Sequence, residues 1–291
     1  MIKSTLLLNA KKSDNFLKNF LKNQKKTELL KAMTYGSLSG GKKIRSSIII
    51  STGKLFKIKI NKLLRICAAI ECIHSYSLIH DDLPCMDDDK IRRGKPSTHI
   101  KFGEATAVLA GNSLLTLAFE IISDKKYLIN SNLKNELIKA LAECSGHTGV
   151  AGGQELDLKF ENKKKTFSQI INMQKKKTGK LFNFCCFSVG VIAKRNLKEK
   201  KALGSLGEDI GLLFQLADDF LDVSGSAKET GKSIKKDKKK GKSTLISLIG
   251  YKKAYTFAIK LKKKILKRLL KYGNKSKDLA NTVEFILGRN T

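Results

Sequence analysis

Nine consecutive residues, Asp81-Asp82-Leu83-Pro84-Cys85-Met86-Asp87-Asp88-Asp89, gather five carboxylates in a chain whose net charge is +32. They close a long apolar segment, Leu63 to Ile79, and Arg92, Arg93 and Gly94 follow at once. Carboxylates at the end of a buried segment are costly unless something cationic binds there. Oxygen-only donors suit a hard dication such as Mg2+, which takes one or two carboxylates and shares its other positions with water and phosphate oxygens. A lone acidic run is also what a solvated loop looks like. A second cluster, Asp218-Asp219-Phe220-Leu221-Asp222, turns the reading towards chemistry.

Asp218 and Asp222 stand four apart on a predicted helix and share a face, which Gln215 joins from one turn earlier. The first cluster is less regular. On a straight helix Asp88 returns to the face of Asp81 and Asp87 does not. Pro84 disturbs the backbone between them, so periodicity leaves Asp87 and Asp88 open as the distal ligand. Two acidic groups on apolar helices, each followed by cations, fit one shared cavity for a diphosphate. Metal and Lys/Arg groups neutralise the leaving diphosphate, so that its carbon–oxygen bond ionises. Apolar helix walls below hold a hydrocarbon tail and keep water from a carbocation.

The elements that carry these groups read as helices throughout. The chain has 291 residues, 41% of them hydrophobic, with only two prolines and no tryptophan. Strict strand alternation is rare, and helix-period apolar segments recur over 63–79, 102–122, 133–144, 149–158, 167–191, 203–222 and 253–271. The expectation is an all-α bundle around a central cavity. No internal repeat or linker divides it, so residues 1–291 read as one domain. Gly36-Ser37-Leu38-Ser39-Gly40-Gly41-Lys42-Lys43-Ile44-Arg45 is a glycine-rich turn that ends in cations and opens an apolar helix. The lysine-rich run 235–240 reads as a solvated loop, with a lid over bound diphosphate as the alternative.

A charge of +32 by itself points to nucleic acid or an anionic surface. The lysines spread along the whole chain, however, often with Ile and Asn, which fits compositional drift. No zinc-finger spacing, helix-turn-helix or aromatic-interleaved basic motif supports a nucleic-acid role. The basic amphipathic stretch 253–271 reads as a bundle exterior, with peripheral attachment to anionic lipid as the alternative. The six cysteines show no paired metal spacing and read as reduced thiols in a cytoplasmic protein. Cys85 reads as packing. Leu6-Leu7-Leu8 is too short for a signal sequence, and no segment is expected to span a membrane. His80, His99 and His147 read as structural.

At this point several motifs resemble, in order, those of the short-chain trans-polyprenyl diphosphate synthases, most closely the bacterial farnesyl type. Ile73-His74-Ser75-Tyr76-Ser77-Leu78-Ile79-His80-Asp81-Asp82-Leu83-Pro84 resembles the first aspartate-rich motif and its approach. Gln215-Leu216-Ala217-Asp218-Asp219-Phe220-Leu221-Asp222 resembles the second. Gly40-Gly41-Lys42-Lys43-Ile44-Arg45, Gly152-Gly153-Gln154, Lys177-Thr178-Gly179, Gly231-Lys232 and Gly241-Lys242-Ser243-Thr244 fall in the family's order. The resemblance covers roughly residues 36 to 250.

It implies a helical homodimer with three Mg2+ ions per site. Asp81, Asp82 and Asp87 would bind two of them, and Asp218 the third with Asp219 and Asp222. Arg92, Lys177 and Lys232 would hold an allylic diphosphate. Lys42, Arg45, His74 and Arg93 would hold isopentenyl diphosphate. Thr178 and Gln215 would flank the allylic cation. The implied reaction is ionisation, condensation and proton loss, taking dimethylallyl to geranyl and then farnesyl diphosphate. Ser46 departs from the family's usual proline, and Asn112 from a common aspartate. Tyr76 and Ser77, in the turn before Asp81, stand where the family sets product length. Ser77 should line the cavity, while an ideal helix turns Tyr76 away from Asp81. A bulky ring there favours farnesyl over geranylgeranyl diphosphate. A terpene cyclase would need no second diphosphate site, and a non-catalytic nucleic-acid binder would not need two intact aspartate motifs.

Overall fold

A computed structural model describes residues 2–224 and 242–288. Its helices are α1 (Ile2–Lys22), α2 (Glu28–Ser37), α3 (Ile44–Leu55), α4 (Ile60–Asp81), α5 (Thr98–Phe102), α6 (Glu104–Ser123), α7 (Ser131–Ser145), α8 (Val150–Phe160), α9 (Phe167–Gln174), α10 (Lys180–Ile192), α11 (Leu197–Ser224), α12 (Leu245–Ile249), α13 (Tyr251–Leu269) and α14 (Lys277–Gly288). Among the described residues the only strands are β1 (Ile91–Arg92) and β2 (Lys95–Pro96), an antiparallel pair. The all-helical expectation holds.

Local chemistry accounts for many boundaries. Thr166 and Thr244 each close a capping box, with Gln169 and Ser247, and Thr27 caps α2 through the Leu30 amide. These side chains satisfy amides that the first helical turn leaves without partners. The helix expected over 102–122 forms as α6, starting two residues later because Gly103, at φ +84°, separates it from the short α5. Helix α6 is also long and apolar enough to cross a membrane by length and composition, which corrects the expectation that no segment is. It packs against α4, α2 and α7.

Helix α4 is the centre. Its residues Leu63, Ile66, Ala68, Ala69, Ile70 and Ile73 are buried, and it contacts α3, α6, α10 and α2. A helix apolar on most faces belongs in a core. The stretch expected as one helix over 167–191 carries a π-helical turn, Lys175–Gly179, between α9 and α10. Two glycines let neighbouring helices press onto that turn. A Cβ on Gly153 of α8 would overlap the backbone nitrogen of Lys177, and one on Gly211 of α11 would stand 2.8 Å from the Gly179 Cα.

Gly153→Ala should therefore lower the urea unfolding free energy by about 1–3 kcal/mol, the usual cost of overpacking. It should also reduce turnover more than the stability loss explains, because the clash falls on the backbone that carries Lys177. Wild-type turnover in a folded Gly153→Ala protein would contradict this account.

Candidate active site

The first acidic motif begins where α4 ends. Pro84 stops the helix, and three backbone bonds fold the chain back on it: the Asp87 amide donates to Asp81 O (2.8 Å), Asp88 to Leu83 O (3.0 Å) and Asp89 to Asp82 O (3.1 Å). Straight-helix periodicity does not apply to such a turn. Asp88 takes a left-handed φ of +47° and is exposed, whereas Asp87 is half-buried. The Asp87 carboxylate lies 3.1 Å from Lys242 Nζ.

Asp82 is buried and bound by Arg92, whose Nε donates to both carboxylate oxygens at 3.0 and 3.1 Å. Arg92 also stands 3.4 Å from the buried Asp89. The β1–β2 hairpin presents Arg92 to the helix end. In this arrangement Arg92 balances the first motif.

The π turn joins the two motifs. Lys177 Nζ donates to Asp157 Oδ2 of α8 at 2.6 Å. Burial alone would lower the Lys177 pKa, but Asp157 and then Asp81 outweigh it and hold the pKa above its ordinary value. The next residue, Thr178, donates from Oγ1 to Gln215 Oε1 at 2.8 Å. Gln215 Nε2 donates to Asp219 Oδ1 at 2.8 Å, and Gln174 Nε2 donates to Asp219 Oδ2 at 2.9 Å. Asp219 is thus buried between two amides, while Asp218 and Asp222 are half-buried on the same helix. A π turn widens the helix by one residue, which lets Lys177 and Thr178 point to different partners. Lys242 completes the cluster at 2.7 Å from Asp157 and 3.1 Å from Glu161.

A second cationic group surrounds His74. Burial, then Arg45, Arg93, Lys43 and Arg92, push the His74 pKa well below its ordinary value, so the imidazole is neutral. The Arg45 guanidinium lies 5.0 Å from the Phe182 ring centroid, and its buried Nε has no partner among the described residues. Arg93 takes φ +53° and donates to Gly40 O and to Ser39 Oγ. Lys42 is exposed, with its ammonium 5.6 Å from the Phe285 ring centroid. Two anion cradles therefore flank the end of α4, one through Lys177 and Lys242 and one around His74.

Tyr76 is buried, and its hydroxyl donates to Ser145 O of α7 at 3.2 Å. Burial, then Asp81, push its pKa to about 12. Ser77 is buried and donates back to His74 O. His80 lies against Val108 O at 3.0 Å and His99 against Ser97, as structural histidines do, but His147 is exposed. Cys85 is exposed, which corrects its reading as a packing residue; the turn after Pro84 carries it outward. The other five cysteines are buried and free. Lys232 and the run 235–240 lie outside the described residues.

Asp157, Gln174 and Glu71 have no assignment from the sequence, and Asp89 and Lys242 stand in its motifs without an assigned role. Gln174 carried a usable signal, one helical turn before Thr178. So did Asp157, one turn after Gln154 of the Gly-Gly-Gln motif. Glu71, in α4, had none beyond being a polar exception.

The donor set fits Mg2+. The candidate ligands are carboxylates, the hard oxygen donors this ion takes. Burial, opposed by Lys177 and reinforced by Asp87, pushes the Asp81 carboxyl up to about 6; a bound dication would reverse that shift. Both side-chain amide atoms of the buried Gln154 lack partners among the described residues. Asp81, Asp82, Asp87, Asp218 and Asp222 are the residues that would hold the ion, with Asp219 behind them. Among the described residues no three acidic, His or Cys side chains already form a metal-holding group, because Asp82 and Asp87 are engaged by Arg92 and Lys242.

The polyprenyl synthetase family model matches residues 26–286, and the chain belongs to that family. It is 40% identical over 271 residues to the farnesyl diphosphate synthase of Escherichia coli, covering 91% of this chain and 90% of that one. It is 36% identical over 272 residues to that of Bacillus subtilis, covering 87% and 92%. A solved FPP/GFPP synthase of Zymomonas mobilis superposes with TM-score 0.87 at 36% identity, over 98% of each chain. A geranyltransferase of Helicobacter pylori, solved with magnesium and isoprenyl diphosphate, superposes with TM-score 0.82 at 32% identity, over 98% of this chain and 96% of that one.

Asp81 yields a test of the electrostatics. Its folded pKa exceeds the unfolded value, so the folded, metal-free protein binds more protons and Asp81 erodes stability as pH rises from about 4 to about 6. Asp81→Asn removes that term. In chelator, urea unfolding at pH 7.5 should show the variant more stable than wild type by up to roughly 3 kcal/mol, with the difference vanishing near pH 4. An advantage that does not change with pH would refute the burial account.

Proposed function

We propose that this protein is a Mg2+-dependent trans-prenyltransferase that condenses isopentenyl diphosphate with dimethylallyl and then geranyl diphosphate to make farnesyl diphosphate. The observation that carries the reading is the pair of separate anion cradles at the end of α4. A cyclase ionises one diphosphate and needs one cradle; a condensation needs two.

In this reading Lys177, Lys242 and Arg92 bind the allylic diphosphate, with Lys232 assigned there from the resemblance alone. Three Mg2+ ions, held by the two aspartate motifs, would supply positive charge to the departing diphosphate. With metal at the carboxylates, Arg92 would be free to give part of its hold on Asp82 to phosphate oxygens. Thr178 and Gln215, locked by their mutual hydrogen bond, present oxygen dipoles to the allylic cation without reorganising. Arg45, Arg93, Lys42 and the neutral His74 hold isopentenyl diphosphate with its double bond towards that cation. The departed diphosphate takes the proton that is lost. Tyr76, fastened to α7, closes the hydrocarbon end at farnesyl length, which disfavours geranylgeranyl diphosphate.

The chain acts as one polyprenyl synthase domain, supported by the span of the family match. We assign a homodimer through α6, which leaves Ala105, Val108, Leu109, Asn112 and Thr116 exposed on an otherwise core helix. The six free cysteines support a cytoplasmic location.

Incubation with isopentenyl and dimethylallyl diphosphates should give farnesyl diphosphate with Mg2+ and nothing in chelator. Allylic turnover without consumption of isopentenyl diphosphate would make the protein a cyclase. Tyr76→Ala should lengthen the products, and unchanged lengths would remove Tyr76 as the floor of the cavity.

A further inference from the structure

The turn that leads to Lys42 and Arg45 enters α3 without a side-chain cap from the N-cap residue. Lys43, the N-cap of α3, takes φ +43° and gives the helix no side-chain cap. The first amides of a helix need partners, and here one comes from another helix. Glu71 of α4 is 2% exposed. Its Oε1 accepts from the Ser46 amide at 3.3 Å and the Ser46 hydroxyl at 2.8 Å. Its Oε2 lies 3.5 Å from Lys43 Nζ. Lys43 donates onward to Ser37 O at 2.9 Å and stands 3.4 Å from Asp14. The Ser46 hydroxyl lies 3.0 Å from Ser13 Oγ of α1.

Glu71 also serves the cradle electrostatically. It opposes the effect of burial on both Arg45 and Arg93, and is the largest charge acting to keep each protonated. It stands one helical turn before His74. A carboxylate at a helix N-terminus is favoured by the aligned peptide dipoles as well. A proline at position 46 would have neither an N–H nor a hydroxyl to offer.

We infer that Glu71, through Ser46 and Lys43, is a positioning residue for the isopentenyl diphosphate cradle: it caps α3 from outside and supplies the counter-charge shared by Lys43, Arg45 and Arg93. This chain uses Ser46 to tie that carboxylate to the α3 turn by two hydrogen bonds that a proline could not make. The inference rests on the proposed condensation. It concerns only the second substrate; the Lys177 cradle is built from other residues.

Steady-state kinetics on the full chain with Mg2+ test it, varying each diphosphate while the other is saturating. Glu71→Gln should raise KM for isopentenyl diphosphate by about tenfold, with the allylic KM within about twofold and kcat within about threefold. Ser46→Ala should move the same KM in the same direction by about threefold. Equal rises in both KM values, or no rise, overturn the inference. If Glu71→Gln unfolds below the assay temperature, Ser46→Ala decides: an unselective or absent effect overturns it. A wild-type protein that consumes no isopentenyl diphosphate overturns the condensation reading itself, before any variant is compared.

Discussion

Everything at this site follows from the cost of placing carboxylates at the buried C-terminal end of α4. The helix dipole is negative there, and burial disfavours charge. Asp81 bears that cost openly, with its carboxyl pushed up to about 6. The rest of the first motif is stabilised by cations from other parts of the chain, Arg92 on the hairpin and Lys242 before α12, while Lys177 on the π turn pairs with Asp157 of α8. Stability of the metal-free protein would be higher without the Asp81 charge, so that carboxylate is a functional demand on the fold.

The same cations make the site suited to its proposed ligands. With carboxylates and ammonium groups interleaved, binding is an exchange of partners. Metal held by the carboxylates would free these cations to meet phosphate oxygens. The π turn lies between the two groups, because Lys177 pairs with Asp157 and acts on Asp81, while Thr178 bonds Gln215 of the second motif. Its place depends on Gly153 and Gly211, which let α8 and α11 approach it closely. The second cradle has a different foundation, in which Glu71 replaces local capping.

Residue types, spacings and apolar periods determined the helical class, the two aspartate motifs, the order of the cationic elements and the chemistry they suit. These properties are local or additive along the chain, so they are legible in one dimension. Even the Asp218–Asp222 pairing needed only the geometry of one helix. Tertiary structure decided what local rules could not. The return of the chain after Pro84 placed Asp87 near Lys242 and Asp88 in solvent, against straight-helix phase. The π turn changed the register between Lys177 and Thr178. Packing against α7 fixed the Tyr76 hydroxyl on Ser145 O. Asp157 and Glu71 acquired partners from other helices, because a buried charge must find its counter-charge in space, wherever in the chain that charge lies.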